Sequence, residues 1–317
     1  MKEPLFMGVD GGGSTLRVAI VNAELHVLAT ERGAPVNPSI IGREAAQMAI
    51  RNGIVDALGQ ARLQPQDITA LSFGIAGASN LHSGEWLAET VGPALPESLL
   101  VPSSDLEIAL VGALAQRHGI LLLAGTGSAV YGVAPSGQQL QVGGWGYLLG
   151  DEGSGYWIGR ELLRRVIASF DEGPSSREYA LIRLCLEQLG LTEVRQIVAW
   201  LYRAEEPPVT RIAGLAELVL NMAANDSKSA DCGGQWAMDV IKSAADHLVR
   251  QVEVMRARLE YMGAPIAFAG GLLDNDNVLS ALVAHRLGLP ERPEAKHPPV
   301  IGAALLAKME WSLAKAI

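Results

Sequence analysis

Cysteine is scarce in this 317-residue chain: only Cys185 and Cys232 occur, and no Cys-x-x-Cys spacing is present. A disulfide framework is thereby excluded, and the reducing cytoplasm is the expected compartment. No cluster of lysine and arginine breaks an acidic balance of 25 basic against 34 acidic side chains, a net charge of −9. Nucleic acids and anionic membranes both require a positive footprint, so neither is an expected partner. No apolar run approaches the roughly 20 residues of a membrane helix. The stretch after Lys2 and Glu3, which runs into Asp10, is too short and too acidic to read as a signal peptide. Low-complexity tracts are also missing. What the chain does have is 49% hydrophobic against 19% charged residues, enough to bury a sizeable interior. Its length suits two domains better than one core.

Two glycine turns of similar design stand out. Asp10-Gly11-Gly12-Gly13-Ser14-Thr15 follows the apolar run Leu5 to Val9, and Gly125-Thr126-Gly127-Ser128 follows Ile120 to Ala124. Each is followed by a second strand-like run, 16–21 and 129–133. A strand, a glycine turn and a strand make a hairpin whose tip can offer bare N–H groups to an anion. The first turn is not a Walker loop, because no Gly-Lys-Ser/Thr follows and the next element is a strand. Two such tips are expected to grip a polyphosphate.

Hydrophobic spacing predicts a meander over 5–9, 16–21 and 24–30, with Asn22-Ala23 as its second turn, and a helix over 43–61. A buried strand at 68–75, a strand at 99–101 and a helix from Ser103-Ser104-Asp105 to Arg117 follow. The pattern then restarts with strands at 119–124, 129–133 and 138–142, which places a domain boundary near His118. The rest reads as helices at 155–169, 177–189, 193–202, 211–223 and 238–262, a strand at 265–269, and a last helix from Ile301 after Pro298-Pro299. Loops are expected at 171–174, 205–208 and 225–234. Strands alternating with helices argue for an α/β fold with a largely parallel sheet carrying a hairpin at its start.

Asp10, at the end of the first strand, is suited to hold Mg²⁺ through its waters. Gly11, Gly12 and Gly13 can approach phosphate oxygens, and Ser14 and Thr15 add hydroxyl donors. An ordinary glycine-rich hairpin is the plainer reading, and the repeat of the design at 125–128 argues against it. Two hydroxyls among the glycines of the second turn exceed what a structural turn needs. Gly270-Gly271, after a buried strand, could lie flat against a nucleoside, although packing alone also explains it.

Together with Gly143-Gly144-Trp145-Gly146, Gly150-Asp151-Glu152-Gly153-Ser154, Ala269-Gly270-Gly271 and Pro298-Pro299-Val300-Ile301-Gly302-Ala303, these turns resemble the actin-like ATPase superfamily over nearly the whole chain. Within that superfamily, which spans sugar kinases, heat-shock chaperones and actin, the chain is similar to the N-acetylglucosamine kinase branch and the BadF/BadG/BcrA/BcrD-type ATPases. The resemblance implies a two-lobed, ribonuclease H-like α/β fold, each lobe a mixed sheet flanked by helices, with an ATP and sugar cleft between them. The implied lobes are 1–118 and 119–300, with a helix at 301–317 packing back on the first.

The implied activity is transfer of a phosphoryl group from ATP, with Mg²⁺, to the 6-hydroxyl of N-acetylglucosamine. Asp105 matches the catalytic base, at a strand end that feeds the first turn of a helix, where the dipole favours a carboxylate. The family pattern has Asn where Ser104 stands. Thr126, Gly127 and Ser128 would face the transferring group, and Gly270 and Gly271 the adenosine. Asn37, Asp105, Thr126, Ser128, Gly144, Trp145 and Asp151 match sugar-binding positions. Asn37 also reads as a turn residue before Pro38, and Asp151 as a cap for the helix that begins at Gly155.

Two rivals stay open. A glucosamine or other hexose-derivative kinase differs in only a few pocket contacts. An ATP-driven activator of a radical dehydratase or reductase would need two cysteines from each subunit around an iron–sulfur cluster, and would be brown. Here Cys185 lies in the amphipathic run 184–187 and reads as a core residue. A sugar-sensing protein with lost activity would be expected to carry a DNA-binding helix-turn-helix ahead of the first strand, and the intact Asp10 and Asp105 argue against that reading. A small-molecule sugar is the expected partner, and a homodimer is left open.

Overall fold

Phe6 and Met7 point to opposite faces of the first strand and both are fully buried, so their sheet must be covered on both sides. A computed structural model describes residues 3–13, 15–77, 83–202, 207–224 and 233–316. Ser14, Cys232 and parts of the expected loops 205–208 and 225–234 lie outside the described residues. In chain order the elements begin β1 (Leu5–Gly11), β2 (Leu16–Val21), β3 (Val27–Gly33), α1 (Pro38–Ile41) and α2 (Arg43–Ala61). Next come β4 (Ile68–Ile75), α3 (Ser83–Val91), β5 (Leu99–Pro102) and α4 (Asp105–Leu114). Then follow β6 (Gly119–Ala124), β7 (Ser128–Val133), β8 (Gln139–Gly143), α5 (Gly155–Glu172), α6 (Ser176–Leu189) and α7 (Gln196–Leu201). The chain closes with α8 (Pro208–Gly214), α9 (Ala216–Ala224), α10 (Gly234–Arg258), β9 (Ile266–Ala269), α11 (Val278–Arg286) and α12 (Pro299–Ala316).

The chain divides into two compact units: Met1–Gly119 with Pro135–Gly137 and Ala295–Ile317, and Ile120–Ala134 with Gln138–Glu294. Unit 1 holds a sheet of order β3-β2-β1-β4-β5, antiparallel among β1 to β3 and parallel along β1-β4-β5. Met7, Val9, Leu71 and Phe73 on one face pack with Ile50 and Ile54 of α2 and Trp86 of α3. Phe6, Ala19, Val21 and Ala70 on the other face meet Val300, Ile301, Ala304 and Ala307 of α12. Each such fully buried large apolar side chain contributes about 1.5–3 kcal/mol. Unit 2 holds a sheet of order β8-β7-β6-β9, with β6 and β9 parallel, and a core shared with α5 to α11. Both sheets are thus mixed and helix-flanked, as the family resemblance implies, rather than largely parallel, because the hairpin strands add antiparallel neighbours in each. No helix among the described residues is long and apolar enough to cross a membrane.

Several element ends differ from expectation. The third strand begins at Val27 because the turn is wider than Asn22-Ala23: Asn22 Oδ1 accepts from the N–H groups of Glu24 and His26, and Leu25 is left-handed at φ 64°. The segment 211–223 breaks at Leu215, whose N–H donates to the Ile212 carbonyl in a tighter turn. α4 stops at Leu114 and α10 at Arg258, closed by Ala115 and Glu260 in the left-handed region at φ 54° and 51°. Neither is the glycine that normally marks such an end. Helices α3 and α11 were not anticipated.

Candidate active site

Ligands of open parallel sheets gather at the carboxyl ends of the strands. In unit 1 those ends are Gly11 of β1, Ile75 of β4 and Pro102 of β5. They bring together Asp10, the glycine turn, Asn37 and Asp105. Asp10 sits opposite Arg17 in the β1–β2 register, and Arg17 Nη1 lies 3.2 Å from Asp10 Oδ2. Burial pushes the Asp10 carboxyl above its ordinary pKa, the Arg17 guanidinium opposes that rise, and the Asp105 charge adds to it. The carboxylates of Asp10 and Asp105 therefore feel each other.

Asp105 is the first residue of α4, whose cap is Ser104: its Oγ accepts from Glu107 N–H at 3.0 Å. A serine cap of this kind is worth about 1 kcal/mol. Burial raises the Asp105 pKa, while its own N–H and that of Leu106 donate to the carboxylate and lower it. Ser103 Oγ donates to Glu107 Oε2 at 2.8 Å, so the two serines have separate tasks.

The glycines of the first turn are not equivalent. At Gly11 a Cβ would stand 2.3 Å from Val36 Cγ2 and 2.8 Å from Ile75 Cδ1, so close packing requires glycine there. Gly12 and Gly13 would meet nothing nearer than 3.6 and 3.4 Å, which leaves their backbone open to an approaching group. The Gly12 carbonyl accepts from Val36 and Asn37 N–H at 3.0 and 3.2 Å, and the Gly12 N–H donates to the Thr15 carbonyl. Asn37 caps α1, with Oδ1 accepting from Ser39 N–H at 2.9 Å.

In unit 2 the carboxyl ends of β6 and β9 carry the other two glycine turns, and a Cβ on Gly125 would lie 3.8 Å from Gly271 N. Gly270 takes φ +92° with its Cβ position 2.5 Å from the Ala124 carbonyl, and Leu272 N–H donates to that same carbonyl at 3.1 Å. The carbonyls of Gly125 and Thr126 accept from Gly155 and Tyr156 N–H, at 2.8 and 3.2 Å, at the start of α5. A trans peptide points its C=O and N–H in opposite directions. The N–H groups of Thr126 and Gly127 therefore face away from α5, as an anion-binding turn requires.

Asp151 does not cap α5. That cap is Ser154, whose Oγ accepts from Trp157 N–H at 3.2 Å. Asp151 instead lies against the second turn, its Oδ2 only 2.7 Å from where a Cβ on Gly127 would be. Burial raises its pKa, and N–H donation from Ser128 and Gly146 lowers it. Its backbone is left-handed at φ 61°, a conformation aspartate tolerates better than most residues. Ser128 is buried and its hydroxyl donates to the Glu152 carbonyl at 3.0 Å, so the structure spends this group on bracing the turn. Thr126 is exposed. Gly144 N–H donates to the Ser128 carbonyl at 3.0 Å, and Trp145 stands 77% exposed, free of packing within its own unit.

Cys185 is fully buried in the unit 2 core, and burial pushes its thiol up to about 12. It cannot present sulfur to a cluster shared between subunits. Among the described residues no group of three or more His, Cys, Asp or Glu side chains could cage a metal. Asp10 alone, at a strand end, fits an ion that takes most of its ligands from water and phosphate, as Mg²⁺ does. The capping role of Ser154 and the pairing of Arg17 come from the structure alone. Ser154 opens an apolar helical run, a recognisable cap signal, whereas Arg17 is marked only by cross-strand register.

The BadF/BadG/BcrA/BcrD ATPase family matches residues 7–307. An N-acetylmuramic acid/N-acetylglucosamine kinase from Clostridium acetobutylicum is 27% identical over 313 residues, spanning 96% of this chain and 98% of its own length. An N-acetyl-D-glucosamine kinase from Dictyostelium discoideum is 26% identical over 331 residues, spanning 97% and 98%. A crystal structure described as a candidate N-acetylglucosamine kinase from Chromobacterium violaceum has a TM-score of 0.70 at 26% identity, covering 97% of this chain and all (100%) of that one.

Proposed function

We infer that this chain, which belongs to the BadF/BadG/BcrA/BcrD ATPase family, is an ATP-dependent kinase that phosphorylates the 6-hydroxyl of N-acetylglucosamine. The observation that carries the reading is Asp105, a largely desolvated carboxylate held on the first turn of α4 beside Asp10. The acceptor comes from the two relatives matched end to end, whose names share N-acetylglucosamine kinase activity.

ATP supplies the transferable phosphoryl group, and Mg²⁺ offsets its charge. Asp105 accepts the proton of the attacking hydroxyl at its carboxylate, and the two N–H groups that donate to it fix its direction. The N–H groups of Thr126 and Gly127 bind phosphoryl oxygens, and the open backbone of Gly12 and Gly13 leaves room for a polyphosphate. The flat Gly270-Gly271 turn supports the nucleoside. Asp10 holds Mg²⁺. Asn37 donates from Nδ2 to a sugar oxygen, Asp151 accepts from a sugar hydroxyl, and Gly144 and Trp145 line the acceptor.

A coupled assay of ATP turnover over a panel of hexoses and amino sugars tests this. The highest kcat/KM is expected with N-acetylglucosamine, with the 6-phosphate as product. Absence of stimulation by any sugar would overturn the kinase reading, and a preference for glucosamine would reassign the acceptor.

Gly127→Ala is a sharper probe of the second turn. Its methyl group would meet Asp151 Oδ2 at 2.7 Å, so either the carboxylate or the turn must move. Misplacement of about 1 Å costs roughly 10²-fold in turnover. A loss of that order in kcat with an unchanged melting temperature is expected, and a variant as active as wild type would remove Gly127 from the site.

A further inference from the structure

Arg17 has no place in the chemistry above, yet it makes the closest charged contact in the unit 1 site. It stands across the antiparallel register from Asp10, and its guanidinium meets Asp10 Oδ2 at 3.2 Å. The two partners are unequally placed: the Asp10 side chain is 16% exposed and that of Arg17 is 44% exposed. A carboxylate drawn out of water is thus compensated by a cation reaching in from solvent on a long, flexible stem.

We propose that Arg17 occupies the cation position of Asp10 and competes with a divalent metal for it. This rests on the reading of Asp10 as the metal-holding residue. A divalent ion held by this carboxylate, directly or through its waters, brings two positive charges to the place the guanidinium holds. A guanidinium on the same oxygen would then face a doubly charged neighbour in a site where screening by water is reduced. One of them must leave. Asp10 is fixed by ladder pairing to both β2 and β4, whereas Arg17 loses little by withdrawing into solvent. The metal alone therefore binds weakly. It enters together with an anion, which supplies further ligands and gives the released guanidinium another negative partner.

The test uses Mn²⁺ alone, without nucleotide or sugar, titrated into the full chain and followed by the electron paramagnetic resonance signal of free Mn²⁺. Arg17→Gln is expected to tighten Mn²⁺ binding about fivefold or more. Arg17→Met, which keeps the apolar stem, should do the same, while Arg17→Lys should stay near wild type. Adding Asp10→Asn to Arg17→Gln should abolish the gain. Unchanged or weaker binding in both charge-removing variants, or a gain that survives Asp10→Asn, would overturn the proposal. Because no turnover is measured, failure of the sugar assignment and failure of this competition are separately visible.

Discussion

Asp105→Asn is expected to abolish sugar phosphorylation while leaving the fold and ATP binding in place. A general base contributes about 10²–10⁴-fold to such a step, and turnover should fall by that factor. The substitution keeps shape and an acceptor oxygen for the Leu106 N–H, so the α4 N-terminus has no reason to rearrange. It also has a stability consequence of opposite sign. Burial holds the folded-state pKa of Asp105 above its usual 3.8, so the native state binds this proton more readily than the unfolded chain does. Stability from this group therefore falls as pH rises from 3.8 through the raised folded pKa, and the penalty persists at neutral pH. Removing the charge should raise the melting temperature at pH 7, with the difference from wild type vanishing below pH 3.8. The same elevated pKa places the acid limb of the kcat/KM profile above 3.8. Isothermal titration with ATP, calorimetric melting and a coupled assay measure these three effects. Near-normal turnover in the variant would sink Asp105 as the base.

Gly302→Ala should be a strongly damaging small substitution outside the site. α12 lies against α4 so closely that a Cβ at 302 would stand 2.1 Å from the Ile108 carbonyl oxygen and 2.5 Å from Gly112 N. Backbone atoms of a packed helix cannot step aside as a side-chain tip can. Overpacking of this kind costs about 1–3 kcal/mol, and more where two backbones collide. A loss of about 3 kcal/mol or more is expected in denaturant unfolding. Because α4 begins at Asp105, catalysis should weaken as well. Gly59→Ala in α2 is the control, since nothing lies within 4 Å of its Cβ position. Alanine there should be neutral or stabilising by up to about 1 kcal/mol. Equal stability of the two variants would contradict the observed α4–α12 crossing.

The strands of both sheets were legible because their signals are local. Alternation and short apolar runs bounded by glycine mark β1, β2, β6 and β7 without any knowledge of their neighbours. Helix ends were less legible where Ala115 and Glu260 adopt the left-handed region without the glycine that would mark it. The candidate site divides the same way. The glycine turns and the placement of Asp105 just after a strand follow from residue type and order.

By itself, then, the sequence determined where the chain turns and which residues could meet an anion. The tertiary structure alone decided what each group does with its hydrogen bonds. It capped α5 with Ser154 and left the Asp151 carboxylate to the second turn, spent the Ser128 hydroxyl on Glu152, required glycine at 11 for packing against Val36 and Ile75, and paired Arg17 with Asp10. The physical reason is range: φ/ψ preference and hydrophobic period act within a few residues. The partner of a carboxylate or hydroxyl is whichever donor or acceptor the folded chain brings within about 3 Å.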